Sequence, residues 1–341
     1  MKKIAVVMSI VVLLGTTFAN AESYHVAKRI AVEGDGSWDL LAVDDTTGRL
    51  FLSHSTVVQV VDTNTGKVVG VIPDTNGVHG IGLAKDLKKG FVTCGKDNSV
   101  AIFNLETLKV EARVPVNGTS PDAILYEPST QRVFSFNGRS SNATVIDAKS
   151  NEVIGSVMLD GKPELAATDG SGTVFVNLED KSMVAVIDAK TLKVEQKWPL
   201  APGEEPSGLA IDTANHRLFA GCNNKLMVVL DSENGKVIAT LPIGERVDGV
   251  EFDPGMKRAY SSNGDGTLTV IEEKGKDAFA VVENVLTQKG AKTLAVDTKT
   301  HHVFLPTADF GETPKATPEN PRPRPTIKPG TFVVLDVEPV K

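Results

Sequence analysis

Short apolar runs alternate with polar turn clusters along the whole chain, and the alternation recurs as a recognisable phrase. Its plainest copy is Val60-Val61-Asp62-Thr63-Asn64-Thr65-Gly66-Lys67-Val68. Seven copies can be counted. Each pairs an aromatic anchor, at Phe51, Phe91, Phe134, Phe175, Phe219, Tyr260 and Phe304, with a later apolar pair closed by a polar residue, at Asp62, Asn104, Asp147, Asp188, Asp231, Glu272 and Asp336. The anchors stand 40, 43, 41, 44, 41 and 44 residues apart. A period near forty built from strand-length segments is the signature of propeller blades, whereas helical repeats need apolar residues at 3.6-residue spacing.

The fifth copy shows the unit. Residues Gly208–Asp212 read as the innermost strand, Arg217–Gly221 as the second, Leu226–Leu230 as the third and Lys236–Leu241 as the outer one. Four strands per repeat make a propeller blade. The closing Asp is suited to an Asx-turn, and Asn234-Gly235 and Thr65-Gly66 offer the positive φ that a tight hairpin wants, so these residues are read as structural. The prediction is an all-β, seven-bladed β-propeller spanning residues 22–341 as one domain. After Asp336 too few residues remain for a fourth strand in blade 7. The segment Ala27–Val32 resembles the outer strands Lys109–Val114 and Lys236–Leu241, and is expected to pair onto the third strand of blade 7 and remove an exposed sheet edge.

At this point the residues resemble a known family. Phe91-Val92-Thr93-Cys94, Phe134-Ser135-Phe136-Asn137 and Tyr260-Ser261-Ser262-Asn263 are variants of the Tyr-Val-Thr-Asn motif, each followed by an apolar pair ending in Asp, Asn or Glu. The chain is similar to YVTN-family, YncE-like seven-bladed propellers over essentially its whole length beyond the first 21 residues. The resemblance implies an exported binding or assembly protein. The chain departs from the motif's Asn at His54, Cys94, Leu178, Cys222 and Thr307, so no chemical role is carried onto that position.

Composition and charge narrow the setting. Aromatics make up only 5%, against 30 glycines and 18 prolines, as suits a turn-rich protein packed through Val, Ile, Leu and Ala. The start, Met1-Lys2-Lys3, an apolar stretch from Ile4 to Leu14 and Ala19-Asn20-Ala21, carries the three parts of a bacterial signal peptide, with an apolar region too short to span a bilayer. Residues 1–21 are expected to be cleaved and the remainder exported to the periplasm, without a membrane span, as a monomer. The formal net charge is −7 and there is no basic block beyond the start, so nucleic acid is not expected as a partner. Cys94 and Cys222 fall in blades 2 and 5, on nearly opposite sides of the ring, and are expected to be free, half-buried thiols.

Chemistry is sought where equivalent positions differ from blade to blade. Propeller ligands sit mostly at one mouth of the channel, which selects two rings. Near the start of each inner strand stand Asp39, His79, Asp122, Glu164, Ser207, Asp248 and Lys292; three residues after each anchor stand His54, Cys94, Asn137, Leu178, Cys222, Asn263 and Thr307. The first ring brings four acids and a histidine toward one axis, where carboxylates repel unless a cation, a proton or a basic ligand joins them. One reading is a small-molecule or divalent-metal site, Ca²⁺ or Zn²⁺, with Asp39, His79 and Asp122 as ligands; the other is a solvated channel. Candidate ligand-binding residues are Asp39, His79, Asp122, Glu164, Asp248, Lys292, Asn137, Asn263 and Trp38, the last as a stacking platform or a packed inter-blade ring. His301-His302 are expected as exposed turn residues on the opposite face. No Ser-His-Asp set or phosphate-cradling loop emerges.

One feature breaks the count. From anchor to closing acid takes 11 to 13 residues in six blades and 32 in the seventh. The excess, at about residues 308–330, is Pro-rich and includes Arg322 and Arg324, so it reads as a surface loop leaving from the mouth, either a docking arm or a tolerated insertion. Two functions follow as expectations: a ligand-binding or protein-interaction scaffold whose partner is a small molecule or another exported protein, or a metal-dependent hydrolase of the lactonase type.

Overall fold

The computed structural model describes residues 23–317, 321 and 323–340. The expected signal peptide and Arg322 lie outside the described residues. Among the described residues strands account for nearly all regular structure, in seven four-stranded antiparallel sheets, with two single turns of 3₁₀-helix at Lys85–Leu87 and Glu179–Lys181. In blade 5 the strands are Pro206–Asp212, Arg217–Cys222, Leu226–Asp231 and Val237–Pro242, one or two residues from the boundaries expected. The all-β, seven-bladed propeller is the fold.

The aromatic anchors explain why the ring holds. Each is at most 2% exposed. Buried apolar residues form seven clusters, and each contains one anchor set against side chains of the next blade. Phe51 packs with Val92 and Phe103 of blade 2, Phe219 with Val250 and Phe252 of blade 6, and Phe304 with Leu50 and Leu52 of blade 1. The repeat therefore encodes the inter-blade contact as well as the blade.

Closure occurs as expected, with a longer strand. Tyr24–Ala31 pairs antiparallel with Val333–Pro339, from Tyr24 opposite Pro339 to Ala31 opposite Val333. Ile30 and Val32 enter the core between blades 7 and 1, and Tyr24 the core between blades 6 and 7, where its hydroxyl lies 2.7 Å from that of Tyr260 and the Arg258 guanidinium sits over its ring. The added strand thus covers an edge and joins two interfaces.

The closing polar residues behave as Asx caps in five blades. The Asp62 carboxylate accepts from the Thr65 amide at 2.8 Å, and Asn104, Asp147, Asp188 and Asp231 accept likewise from amides two or three residues on. Gly66 and Gly235 take the positive φ those hairpins need, 68° and 73°. Glu272 and Asp336 differ, because their strands run on past them. Glu272 pairs with Lys274 and Arg258, and Asp336 with His302 and Lys28.

Two expectations about side chains are corrected. Cys94 and Cys222 are free, but fully rather than half buried, since their position faces the inter-blade core. His301 and His302 are half-buried rather than exposed: each imidazole Nδ1 lies 2.7 Å from a fully buried carboxylate, of Asp253 and Asp336 respectively. Among the described residues no helix is long and apolar enough to cross a membrane.

Candidate ligand-binding site at the channel mouth

The first ring converges, and a backbone irregularity is the reason. In six inner strands the ladder to the second strand slips at the candidate position: between Trp38 and Leu41, Val78 and Ile81, Pro121 and Ile124, Pro163 and Ala166, Pro206 and Leu209, and Val247 and Gly249. A bulge frees one residue from the ladder and re-aims its side chain. Hydroxyl and amide side chains then hold the backbone at four ring positions, three of them on bulges. Thr93 Oγ1 donates to the Asp122 carbonyl at 2.6 Å, Asn177 Nδ2 to that of Ser207 at 3.0 Å, Ser262 Oγ to that of Lys292 at 2.6 Å, and Thr293 Oγ1 to that of Asp39 at 2.8 Å.

Asp39, His79 and Asp122 form one cluster. The Asp39 carboxylate lies 2.5 Å from His79 Nδ1, and the Asp122 carboxylate 3.7 Å from the same nitrogen. The Asp39 hydrogen bond holds the imidazolium pKa above its ordinary value, against the effect of burial. Asp122 is pushed up to about 6, first by burial and then by the Asp39 charge. All three keep part of their surface open to the channel.

The other acids meet bases. Lys292 pairs with Asp248, whose other oxygen accepts from Ser207 Oγ at 2.7 Å. Burial works against the Lys292 charge, but Asp248 and Asp39 outweigh it and hold the ammonium's pKa up. Glu164 lies 2.7 Å from Lys162, which also bonds Glu179, yet burial and the Asp122 charge push Glu164 up to about 7. The mouth is therefore a belt of ion pairs rather than bare repelling carboxylates. Lys162 was missed because it precedes the ring by two positions and only the blade 4 linker turns it inward.

The second ring does not join it. Asn137 and Asn263 are fully buried, and each spends its amide group on hydroxyls of its own blade: Asn137 on Thr144, Asn263 on Thr267 and Thr269, all at 3.0 to 3.1 Å. His54 is buried against Phe332 and bonded to Gln59. Trp38 packs on Phe332 and Phe310, with ring centroids 5.2 and 6.0 Å away, so it supports the mouth rather than offering a free face.

The Pro-rich loop starts as a short ladder. Phe310 bridges Ile327, and the Gly311 amide donates to the Thr326 carbonyl at 2.8 Å. Beyond it Arg324 is exposed and near enough to Lys292 for its charge to oppose the lysine's. Arg324 thus lies near the channel end that carries the ring.

No family model matches the chain. It is 24% identical to YncE of Escherichia coli (strain K12) over 156 residues, 42% of this chain and 44% of that protein. It is 22% identical to Antigen Lp49 of Leptospira interrogans over 236 residues, 64% of this chain and 51% of that protein. The chain spans about half the length of the curated relatives it matches. With the seven four-stranded blades, these partial likenesses support one reading. The chain is similar to YncE and has a propeller fold. Solved structures agree on the fold alone. A chain of a mitotic checkpoint complex superposes with a TM-score of 0.73 at 13% identity, covering 89% of this chain and 95% of that one. A chain of Kuenenia stuttgartiensis hydrazine synthase gives 0.69 at 17% identity, covering 80% and 94%. The YncE-like relatives carry no activity to the mouth, so its chemistry must be argued from its own residues.

Proposed function

We propose that this YncE-like propeller is an exported, periplasmic binding protein that takes a small polar ligand, or a segment of another exported protein, at the channel mouth. The observation that carries this is the Asp39–His79–Asp122 cluster, which is hydrogen-bonded yet open, on bulges whose backbone Thr293 and Thr93 hold, with the exposed Arg324 nearby. A rigid first shell with both signs of charge suits a ligand with an amine and an acid group: Asp39 and Asp122 would face the amine, Lys292 and Arg324 the acid. A thermal-shift panel of small zwitterions tests it. Binding should raise the melting temperature, and His79→Ala should remove the shift; a panel that moves neither protein would overturn the reading. Excising residues 313–325 while keeping the Phe310–Ile327 ladder should change stability by no more than about 0.5 kcal/mol, as surface changes do, but weaken binding or capture of a partner.

A second reading has one observation in its favour: ligand atoms of Asp39, His79 and Asp122 lie within 4.8 Å of one another, close enough to share a divalent ion. Ca²⁺ or Zn²⁺ there would supply the Lewis acid of a lactonase-type hydrolase. The ion would have to displace the proton that His79 Nδ1 shares with Asp39, so affinity should fall steeply as pH falls. Elemental analysis of protein purified without chelator decides it: stoichiometric metal, lost in Asp39→Ala, supports this reading, and its absence leaves the metal-free site.

A further inference from the structure

The inner strands of all seven blades enclose a cavity of about 340 Å³ on the ring axis, below the mouth. Ligand pockets run from roughly 300 to 1,000 Å³, so this one admits a compact ligand. Its lining residues are mainly aliphatic, with Leu40, Leu125, Leu165, Leu209 and Leu294 among them, though polar atoms are also exposed along the wall, and it holds one carboxyl side chain, that of Glu251. Six equivalent inner-strand positions carry Ala42, Gly82, Leu125, Ala167, Ala210 and Ala295. Glu251 alone departs from this apolar column, of which Ala42, Gly82, Leu125 and Ala295 also line the cavity.

Among the described residues no hydrogen-bond or ion-pair partner answers that carboxyl. Where the mouth acids meet His79, Lys162 and Lys292, the environment of Glu251 offers burial and nothing else, which pushes it up to about 7. Glu251 is only half-buried because its side chain opens onto the cavity. The cavity's other titratable groups are occupied: Lys85 by Asp45 at 2.5 Å, and Tyr126 by Asp86 at 2.9 Å. An isolated carboxylate in an apolar wall is costly unless a proton or a cation meets it.

We propose that the waist of the channel is a second binding site, for a small organic cation whose apolar body fills the aliphatic wall and whose ammonium group pairs with Glu251. Its wall includes Leu40 and Ala123, the chain neighbours of Asp39 and Asp122, but none of the cluster residues themselves. The apolar wall supplies affinity through burial, and the single carboxylate selects charge.

Cyclohexylammonium, cyclohexanol and cyclohexanecarboxylate, titrated calorimetrically into the full chain at pH 8.5, share one body and differ in charge. The amine should bind at least tenfold more tightly than the alcohol, and the acid should not bind. Glu251→Gln should abolish the amine's advantage. Glu251→Leu, which completes the apolar column, should keep the fold, raise the melting temperature and favour the alcohol. The proposal fails if amine and alcohol bind alike, if neither binds, or if Glu251→Gln leaves the amine's affinity intact.

Discussion

The inner strands carry acids at both ends, and the two ends use them in opposite ways. Away from the mouth, Asp44, Glu127, Asp212, Asp253 and Asp297 are buried, and each accepts hydrogen bonds from backbone amides of the turn that follows it. At the mouth, Asp39, Asp122, Glu164 and Asp248 look across the ring to side chains of other blades or linkers. The electrostatics follow. Burial pushes Asp44 up, but hydrogen bonds from Thr46 and Thr47 outweigh it and lower its pKa, whereas Asp122 and Glu164 are raised to about 6 and 7. A carboxylate whose lone pairs are consumed by its own turn is architecture; one left to face other side chains is available for binding.

The largest test removes what both ends depend on. Deleting residues 22–33 takes Tyr24, Ile30 and Val32 out of two inter-blade cores. At about 1.5–3 kcal/mol for each large apolar side chain, stability should drop by about 5 kcal/mol or more, and the melting temperature by roughly 10 °C or more. An unchanged melting curve would mean that closure by this strand contributes little.

Next in size is the far end. Asp253→Ala removes a fully buried carboxylate that accepts from the Gly255 amide and partners His301. Urea unfolding should show a loss of roughly 2–4 kcal/mol, the range for stripping a partner from buried donors. If this loss is no larger than that of Asp39→Ala at the mouth, the division between the two ends does not hold.

The smallest effect is the most specific, and its sign separates the ends. Asp122 binds its proton up to about pH 6 when folded but only to its ordinary 3.8 when unfolded, so its contribution declines as pH rises between those values. His79, also raised, contributes below its unfolded 6.5 and loses that contribution as pH climbs through its folded pKa. Asp44, lowered, contributes above 3.8 and loses its contribution as pH falls through its folded pKa. Asp122→Asn should therefore flatten the decline in melting temperature between pH 4 and 6. At pH 8 it should raise the melting temperature by on the order of 2 °C, since half-open charges are well screened. A variant that steepens the decline would refute the raised carboxyl.

How far this was legible in sequence depends on whether a residue obeys the period. The anchors and the five Asx caps could be read directly, because their roles rest on alternation and turn chemistry alone. The mouth ring was located by counting equivalent positions, and the Asp39–His79 pair follows from blade adjacency. The bulges that aim the ring leave no residue signature, so Lys162 and the supporting Thr93, Asn177, Ser262 and Thr293 stayed hidden. Asn137 and Asn263 misled because one step along a strand reverses a side chain's direction: their position turns into the blade, not the channel. Glu251 is legible as the one acid in an apolar column, but it lies away from the strand ends that carry the two rings.

The strand that closes blade 7 also decides how the ring meets force. Ser23 and Val340 lie side by side, joined by a backbone hydrogen bond of 2.6 Å, at the same end of the Tyr24–Ala31 pairing. A pull between those two points loads the ladder one rung at a time, as a zip is opened, so the clasp yields to a gentle peel while resisting heat through its buried side chains. A load shared along the length of the strand would meet all its rungs together. The seam is mechanically the soft place in an otherwise uniform ring, and anything attached to either end of the described chain would act there first.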